Sequence, residues 1–316
     1  MSNQKKITQP RIGIVLSSGG VRGVYAHTGF LLALEKLQIE LQAATGCSAG
    51  AVVGGIFASG ASVHRWADVL STIKPGRFWR PSWFQLLWSL LVHKGRGYSG
   101  LSSADSAIEF CTDQLRVQSF EQCKIPFHAL AINVTTGKKK IFSKGSLARS
   151  MVASAAIPVL YQPVEIDGDY YSDGGVVDLA PTDTICCKYN LDILIVHHVA
   201  QRSTSTLNDP MSSRWTLIEI LNNLLFRQRP WYLSDKPVTV RRCPCGCDAF
   251  VIIIEPDLPP LDWPVTKHGS RVLQSAQEQT ELFLEPYIEI LKGNAEIPAC
   301  RVDKLETEAQ KSGCQN

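Results

Sequence analysis

The sequence has no long uncharged apolar segment. None of its stretches reaches the roughly 18 consecutive apolar residues that a membrane-spanning helix needs. The polar start, MSNQKKITQPR, has no apolar core of the kind found in secretory signals. We therefore expect a cytoplasmic protein without a membrane-spanning helix. Any association with a membrane would then be peripheral.

A surplus of charge of one sign is also missing. The 316 residues include 32 basic and 29 acidic side chains, which gives a formal net charge of +3. Surfaces that bind nucleic acid concentrate Lys and Arg in a patch or stripe, so we do not expect a nucleic-acid partner. Hydrophobic residues make up 45% of the chain and charged residues 19%, a globular mix that excludes disordered, collagen-like and coiled-coil proteins.

The sequence does contain an alternation of strand-like and helix-like segments. A short apolar run at 12–16 ends at a glycine-rich turn, and apolar residues then recur at helical spacing over 24–37. A second unit has a strand at 43–46, a sharp turn at Ser48 and a helix over 51–58. This alternation predicts an α/β fold with a parallel sheet. Further strands are predicted at 127–134, 139–142, 164–171, 191–196 and 252–254, and further helices at 147–156 and 270–291.

The pentapeptide G-C-S-A-G at 46–50 matches the pattern G-x-S-x-G. Small residues on both sides allow a serine to occupy a strained strand-to-helix turn with its hydroxyl exposed, and the following helix directs N–H groups toward it. Ser48 lies between a predicted strand and a predicted helix, as a nucleophile at such a turn requires. A buried glycine turn without chemistry is the alternative, and Cys47 is a rival nucleophile beside the apex.

A second glycine-rich segment follows the first strand. The backbone N–H groups of such a loop, together with a helix N-terminus, can hold negative charge. A dinucleotide site would need G-x-G-x-x-G and an acidic residue after a second strand, and the sequence has neither. An oxyanion hole fits better, and a loop that only packs is the alternative. The segment consists of Gly19, Gly20, Val21, Arg22 and Gly23.

A serine nucleophile needs a general base. Of the seven histidines, only His197 and His198 follow a predicted core strand. Neighbouring strand residues point to opposite faces, so at most one of the two could serve. Asp173 is the other candidate, because the two glycines after it let its carboxylate approach another turn closely. A plain D-G-G turn is the alternative.

Taken in order, these motifs resemble those of the patatin-like phospholipase family. The shared features are G-G-x-R-G after the first strand, G-x-S-x-G at 46–50, an A-S-x-A-x-P segment at 153–158 and D-G-G at 173–175. The resemblance covers the chain from about residue 11 to residue 184. Cys47 stands where the family commonly has threonine, and the loop start at Ser17 and Ser18 is poorer in glycine than usual.

The resemblance implies a three-layer α/β/α fold with a mainly parallel central sheet and no metal or cofactor. It also implies that Ser48 is the nucleophile, that Asp173 is the general base and that the loop at 19–23 is the oxyanion hole. The glycines that would support the two turns are Gly46, Gly50, Gly174 and Gly175.

The activity implied is that of a lipid acyl hydrolase of the phospholipase A or lysophospholipase type, with a phospholipid or lysophospholipid as substrate. An acyltransferase or Ser–His esterase is one alternative, and a non-catalytic lipid-binding or regulatory protein is another. We expect one domain over 11–292, with a variable insertion at 201–250. A polar lead at 1–10 and a polar tail at 293–316 would flank it.

Residues 78–96 form an aromatic segment flanked by basic side chains. Aromatic residues bordered by cations suit a membrane interface with anionic headgroups. We therefore predict a lid or membrane-facing segment above the active site, with a core helix as the alternative. The aromatic residues singled out are Trp79, Trp83, Phe84 and Trp88.

Cys243, Cys245 and Cys247 alternate in the sequence, so all three would face one side of an extended strand. Zinc usually takes four N or S ligands, often from C-x₂-C pairs, and this spacing is weak evidence for a metal site. A fourth ligand such as Cys186, Cys187 or His268 could come only through the fold. Reactive thiols and a plain loop are the alternatives, and we expect the cysteines to be mostly reduced.

Overall fold

The computed structural model describes residues 9–84, 91–92, 100–199, 234, 236–244, 246–261 and 265–298. Trp88 and Cys245 lie outside the described residues. So do most of the expected insertion at 201–250, most of the N-terminal lead and most of the C-terminal tail. The division into domains therefore stays a prediction.

The described residues contain eleven strands. They are β1 (Ile12–Leu16), β2 (Ala43–Cys47), β3 (Gly100–Ser102), β4 (Phe127–Asn133), β5 (Lys139–Phe142), β6 (Val159–Tyr161), β7 (Val164–Ile166), β8 (Asp169–Asp173), β9 (Ile193–His197), β10 (Val238–Arg242) and β11 (Phe250–Ile254). Nine of them form one mixed sheet in the order β10-β11-β9-β1-β2-β4-β8-β7, with β5 also paired to β4. The other two, β3 and β6, pair with each other.

The centre of the sheet is parallel and its flanks are antiparallel. Strands β11, β9, β1, β2 and β4 pair in parallel, whereas β10, β5, β8 and β7 join through antiparallel pairings. All residues of β1, β2, β9 and β11 are buried. Strands covered on both faces are the usual setting of parallel pairing, and this burial explains why the sequences of β1 and β11 have no polar side chain.

Seven α-helices have both ends in the described part of the chain, and residues 83–84 and 91–92 are helical as well. The first of the seven makes its most extensive helix contacts with the sixth. None of the helices there is long and apolar enough to cross a membrane. Their bounds are α1 (Gly20–Lys36), α2 (Ala49–Ala58), α3 (Val63–Thr72), α4 (Asp105–Gln114), α5 (Leu147–Ala155), α6 (Val265–Leu284) and α7 (Ile288–Leu291).

Apolar side chains fill both faces of the sheet. Ile14 and Ile195 point into the larger core, which includes Phe30 of α1. Val15 and Leu194, their chain neighbours, point into a smaller core on the other face. Alternation along each strand explains this division. The predicted fold class, a three-layer α/β fold around the sheet, is confirmed.

Several predicted elements differ in their bounds from the observed ones; the helix predicted from residue 24, for example, begins at Gly20. The helix predicted over 270–291 begins earlier, at Val265, and ends at Leu284, followed by a 3₁₀ turn over Glu285–Tyr287 and then by α7. Pro286 accounts for the break, because proline lacks an N–H and its ring clashes with the preceding helical turn. The segment predicted at 164–171, a strand with a turn at Asp167 and Gly168, is the β7–β8 hairpin, and its second strand continues to Asp173.

Candidate active site

Ser48 occupies the sharp turn between β2 and α2. It is the residue before the first turn of α2, and its φ of 53° and ψ of −118° lie in a region that non-glycine residues rarely adopt. The side chain is buried, with 2% of its surface exposed. Backbone strain of this kind persists where the surrounding structure enforces it.

Two glycines enforce this turn by close backbone contact. A Cβ atom on Gly46 would lie 2.2 Å from the carbonyl oxygen of Gly50, and one on Gly50 would lie 2.1 Å from that of Leu16. No side chain fits at such distances. The close packing of β1, β2 and α2 therefore requires the glycines on both sides of Ser48.

Asp173 ends β8, next to β4, and its carboxylate contacts Ser48. The hydroxyl of Ser48 donates a hydrogen bond to Asp173 Oδ2 at 2.6 Å. Asp173 Oδ1 accepts a second one from the N–H of Gly175 at 2.8 Å. A Cβ on Gly174 would lie 2.3 Å from the carbonyl oxygen of Leu130, so the glycines after Asp173 allow the close approach that the sequence suggested.

Burial raises the pKa of Asp173 to about 7, although its hydrogen bonds from Ser48 and Gly175 act in the opposite direction. The side chain is fully buried. A carboxyl group with a pKa near neutrality can both accept and return a proton at physiological pH.

Two helix N-termini meet beside Ser48. Gly20 and Val21 from the first turn of α1 and Ala49 from the first turn of α2 line one cavity together with Ser48. The first N–H groups of a helix have no intrahelical acceptor and favour negative charge. This part of the site can therefore stabilise an anion that forms at Ser48.

The rest of the loop at 19–23 is held by other contacts. The N–H of Gly23 donates to the carbonyl of Gly19 at 2.8 Å, so it is already engaged. Arg22 reaches across to the carbonyl of Leu258, to which its Nη2 donates at 2.5 Å. Ser17 occupies a loop position poor in glycine, and its hydroxyl accepts from the N–H of Val199 at 2.9 Å.

Of the two candidate histidines, His197 is hydrogen-bonded to another histidine and not to Ser48. His197 Nδ1 lies 2.8 Å from Nδ1 of His27, and its ring stacks on Phe30. Burial lowers the pKa of His27 to about 3 and that of His198 to about 4. These rings are neutral at physiological pH. The hydroxyl of Ser48 is hydrogen-bonded to the carboxylate of Asp173 and not to an imidazole.

Cys47 is fully buried at the end of β2. Burial, followed by the nearby Asp173 carboxylate, raises the pKa of its thiol well above the ordinary value. The thiolate, which is the nucleophilic form of cysteine, is therefore disfavoured.

The cavity beside Ser48 has a volume of about 370 Å³ and apolar walls. Sequence reasoning missed the part of these walls that α3 and α4 supply, because neither helix was predicted. The spacing of Val63, Trp66 and Leu70 after Ser62, whose hydroxyl caps α3, was the available signal. Among the described residues that line the cavity, Lys74 alone is charged. The larger wall residues are Tyr25, Trp66, Leu70, Phe78, Phe110 and Tyr161.

The described part of the aromatic segment divides into two parts. Phe78 lines the cavity, and Trp79 beside it is half-buried. Trp83 and Phe84 are helical and exposed, with 55% and 73% of their surfaces accessible. The segment therefore connects the cavity wall with an exposed apolar surface.

The cysteine segment is a hairpin turn, which contradicts the extended strand assumed from its alternation. β10 ends at Arg242, and Cys243 donates its N–H to the carbonyl of Ala249 at 3.0 Å, closing the turn that leads to β11. Gly246 has a φ of 85°, as a tight turn requires. The turn brings Cys243 and Cys247 beside the distant Cys186 and Cys187.

Comparisons with known proteins agree with this architecture. A lysophospholipase NTE1 of Cryptococcus neoformans is 27% identical over 228 residues, covering 69% of this chain and 13% of that protein. The structure of human GIVD cytosolic phospholipase A2 superimposes with a TM-score of 0.53 at 9% identity, covering 93% of this chain and 64% of that one, which supports the fold.

The family assignment rests on sequence. An uncharacterized NTE family protein of Mycobacterium tuberculosis is 32% identical over 188 residues, or 60% of this chain, and the match spans only about half (49%) of that relative. The family model described as patatin-like phospholipase matches residues 14–185, more than half of the chain. The chain belongs to the patatin-like phospholipase family.

Proposed function

We propose that this chain is a lipid acyl hydrolase of the phospholipase A or lysophospholipase type, with Ser48 as nucleophile and Asp173 as general base. The observation that carries the proposal is the 2.6 Å hydrogen bond from Ser48 Oγ to Asp173 Oδ2, with Ser48 lining an apolar cavity. Relatives named as a lysophospholipase and as a neuropathy target esterase support ester chemistry.

In the first half-reaction, Ser48 Oγ attacks the ester carbonyl carbon and Asp173 takes the hydroxyl proton. The negative charge that develops on the carbonyl oxygen faces the N–H groups of Gly20, Val21 and Ala49, and such prearranged donors stabilise the transition state. When the ester C–O bond breaks, Asp173 returns the proton to the leaving alcohol. The fatty acyl group remains on Ser48.

In the second half-reaction, a water molecule gives a proton to Asp173 as it attacks the acyl carbon. The bond to Ser48 Oγ breaks, the proton returns to Oγ, and the fatty acid leaves. One carboxylate serves both halves because it alternates between base and acid, and a pKa of about 7 allows both roles at neutral pH.

The cavity walls favour a long acyl chain as the bound group. Apolar side chains such as Trp66, Leu70 and Phe110 exclude water from the chain and contribute hydrophobic binding energy. Lys74, exposed and also at the cavity, provides a positive charge for a lipid phosphate. In this assignment Arg22 only positions the loop at 19–23. Its guanidinium stays charged and so cannot accept a proton, and it donates a hydrogen bond to the carbonyl of Leu258.

The test is fatty-acid release from vesicles that mix phospholipid and lysophospholipid. We expect Ser48→Ala to reduce kcat by on the order of 10⁴–10⁶-fold and Asp173→Asn to reduce it by on the order of 10²–10⁴-fold. Matched controls are Ser150→Ala, a buried serine of α5, and Asp169→Asn, an exposed aspartate of the same strand as Asp173.

Release that survives Asp173→Asn would instead support a histidine-based esterase. Tight lipid binding by the folded wild type without any release would support the non-catalytic alternative. Acyl transfer to an added alcohol in place of hydrolysis would identify an acyltransferase.

A further inference from the structure

Four cysteine thiols converge on the sheet face that carries the smaller core. The sulfur atoms of Cys186, Cys187, Cys243 and Cys247 all lie within 4.8 Å of one another. Cys186 Sγ lies 3.2 Å from Cys243 Sγ and 3.7 Å from Cys187 Sγ. None of the four forms a disulfide, whose sulfur atoms would be about 2.05 Å apart.

We propose that these four cysteines bind a zinc ion. Zinc in structural sites is tetrahedral with Zn–S bonds of about 2.3 Å, so neighbouring sulfur atoms in such a site lie about 3.8 Å apart. The separations of 3.2 and 3.7 Å lie just below this value, and all four sulfur atoms lie within 4.8 Å of one another. Small rotations of the side chains would bring all four sulfur atoms to equal distances from one central ion.

The two segments that supply the ligands suit this role. Cys243 and Cys247 come from one hairpin turn and have the spacing C-x₃-C, which lies within the usual range of zinc-binding pairs. Cys186 is 57 positions before Cys243 in the sequence, and Cys187 follows it directly. The ion would therefore join the β10–β11 hairpin to the segment that precedes β9.

Protons and charge also balance. Binding converts four thiols into four thiolates, releases four protons to solvent and leaves a zinc–thiolate centre with a net charge of −2. Lys188, Arg241 and Arg242 are the basic residues next to the ligands in the sequence.

The cluster is separate from the site of Ser48. Cys186 and Cys243 pack with Val15 and Leu194 in the smaller core, whereas the cavity residues Tyr25 and Trp66 belong to the larger core on the opposite face. The ion is therefore assigned a structural role. Cys187 is exposed, which gives the metal a route from solvent.

A single ion explains the geometry better than an iron–sulfur cluster does. Tetrahedral sulfur ligation is typical of both zinc and iron–sulfur centres. A cluster places several irons and sulfides between the cysteines and holds their sulfur atoms further apart than one ion does. Four thiols within 4.8 Å of one another leave room only for a single ion.

The test is the metal content of the purified full-length chain, measured by mass spectrometry after dialysis. We expect about one zinc per chain for the wild type and none for Cys186→Ser or Cys243→Ser. Cys123→Ser, a cysteine outside the cluster, and Cys245→Ser, which the ligand set does not use, are expected to keep the metal. Zinc loss in Cys245→Ser with retention in Cys187→Ser would overturn the assigned ligands.

A second measurement does not depend on whether the buried variants fold. Cobalt added to metal-free wild type is expected to give the visible bands of a tetrahedral ion and a sulfur-to-cobalt charge-transfer band. Cys187→Ser, at an exposed position, is expected to weaken zinc binding by at least roughly 10–100-fold, the loss caused by second-shell changes alone. Three results for the wild type would overturn the proposal. The first is the absence of both zinc and the cobalt bands, the second is stoichiometric iron, and the third is a Cys186–Cys243 disulfide that persists in the presence of reductant.

Discussion

The hydroxyl of Ser154 links the backbone of Ser48 to the centre of the sheet. It accepts a hydrogen bond from the N–H of Ser48 at 2.9 Å and donates one to the carbonyl of Leu130 in β4 at 2.5 Å. The same carbonyl is the atom against which Gly174 packs. The A-S-x-A-x-P segment thus holds the two turns that carry Ser48 and Asp173 against one point on β4.

We expect Ser154→Ala to misplace Ser48. The substitution leaves the buried N–H of Ser48 and the carbonyl of Leu130 without this partner, which costs about 1–3 kcal/mol of stability. A positioning role predicts a fall in kcat with little change in KM, because the acyl cavity is intact. Ser154→Thr keeps the hydroxyl and serves as the conservative comparison. Unchanged kcat in a folded Ser154→Ala protein would contradict the role.

The pH dependence of turnover should report the ionisation of Asp173. The carboxylate form is the base, and its pKa is raised to about 7, so kcat/KM is expected to rise with pH and level off above that value. A profile recorded on a neutral lipid keeps other charge effects small. A plateau that extends well below about pH 6 would show that a group with an ordinary carboxyl pKa is the base.

The same burial makes the wild type less stable as pH rises. Asp173 has a pKa of about 7 in the folded protein against an ordinary value of 3.8, so the folded state holds a proton that the unfolded state releases between these values. Stability is therefore lost from about pH 4 up to and through about pH 7. We expect the Tm of Asp173→Asn relative to wild type to increase over this range. A pH-independent difference in Tm would be inconsistent with a buried, raised carboxyl.

The turn at Ser48 should not tolerate a methyl group at Gly50. A Cβ there would lie 2.1 Å from the carbonyl oxygen of Leu16, and both atoms belong to packed backbone. Gly50→Ala is expected to cost at least ~3 kcal/mol. Gly76→Ala is the control, since a Cβ at Gly76 meets nothing within 4 Å and is expected to change stability by less than about 0.5 kcal/mol. Chemical denaturation of both variants compares the two costs.

Exposed aromatic residues should mediate contact with lipid surfaces. Trp83 and Phe84 offer apolar area to solvent, and their replacement by serine is expected to weaken binding to anionic vesicles. Vesicle co-sedimentation measures the effect, with Phe120→Leu as a control at a buried aromatic position outside the cavity. Equal binding by the Trp83→Ser/Phe84→Ser variant would locate the membrane contact elsewhere.

Much of the fold follows from short-range patterns. The strands at 12–16 and 43–47 and the helices after them were predictable, because apolar runs, glycine turns and helical periodicity act within a few residues. The close packing at Gly46 and Gly50 was predictable for the same reason. Cys245 and Trp88 lie outside the described residues, so what the sequence predicts for them stays a prediction.

The sequence by itself determined which residue types were available: a serine between small residues, an aspartate before two glycines and a glycine loop before a helix. Only the tertiary structure decided that Ser48 and Asp173, which are 125 positions apart, share a hydrogen bond, and that His197 pairs with His27 instead. It also decided that Cys186 and Cys187 lie beside Cys243 and Cys247. Contacts of this kind depend on strand order in the sheet, which parallel crossovers set over long distances in the chain and which no local pattern encodes.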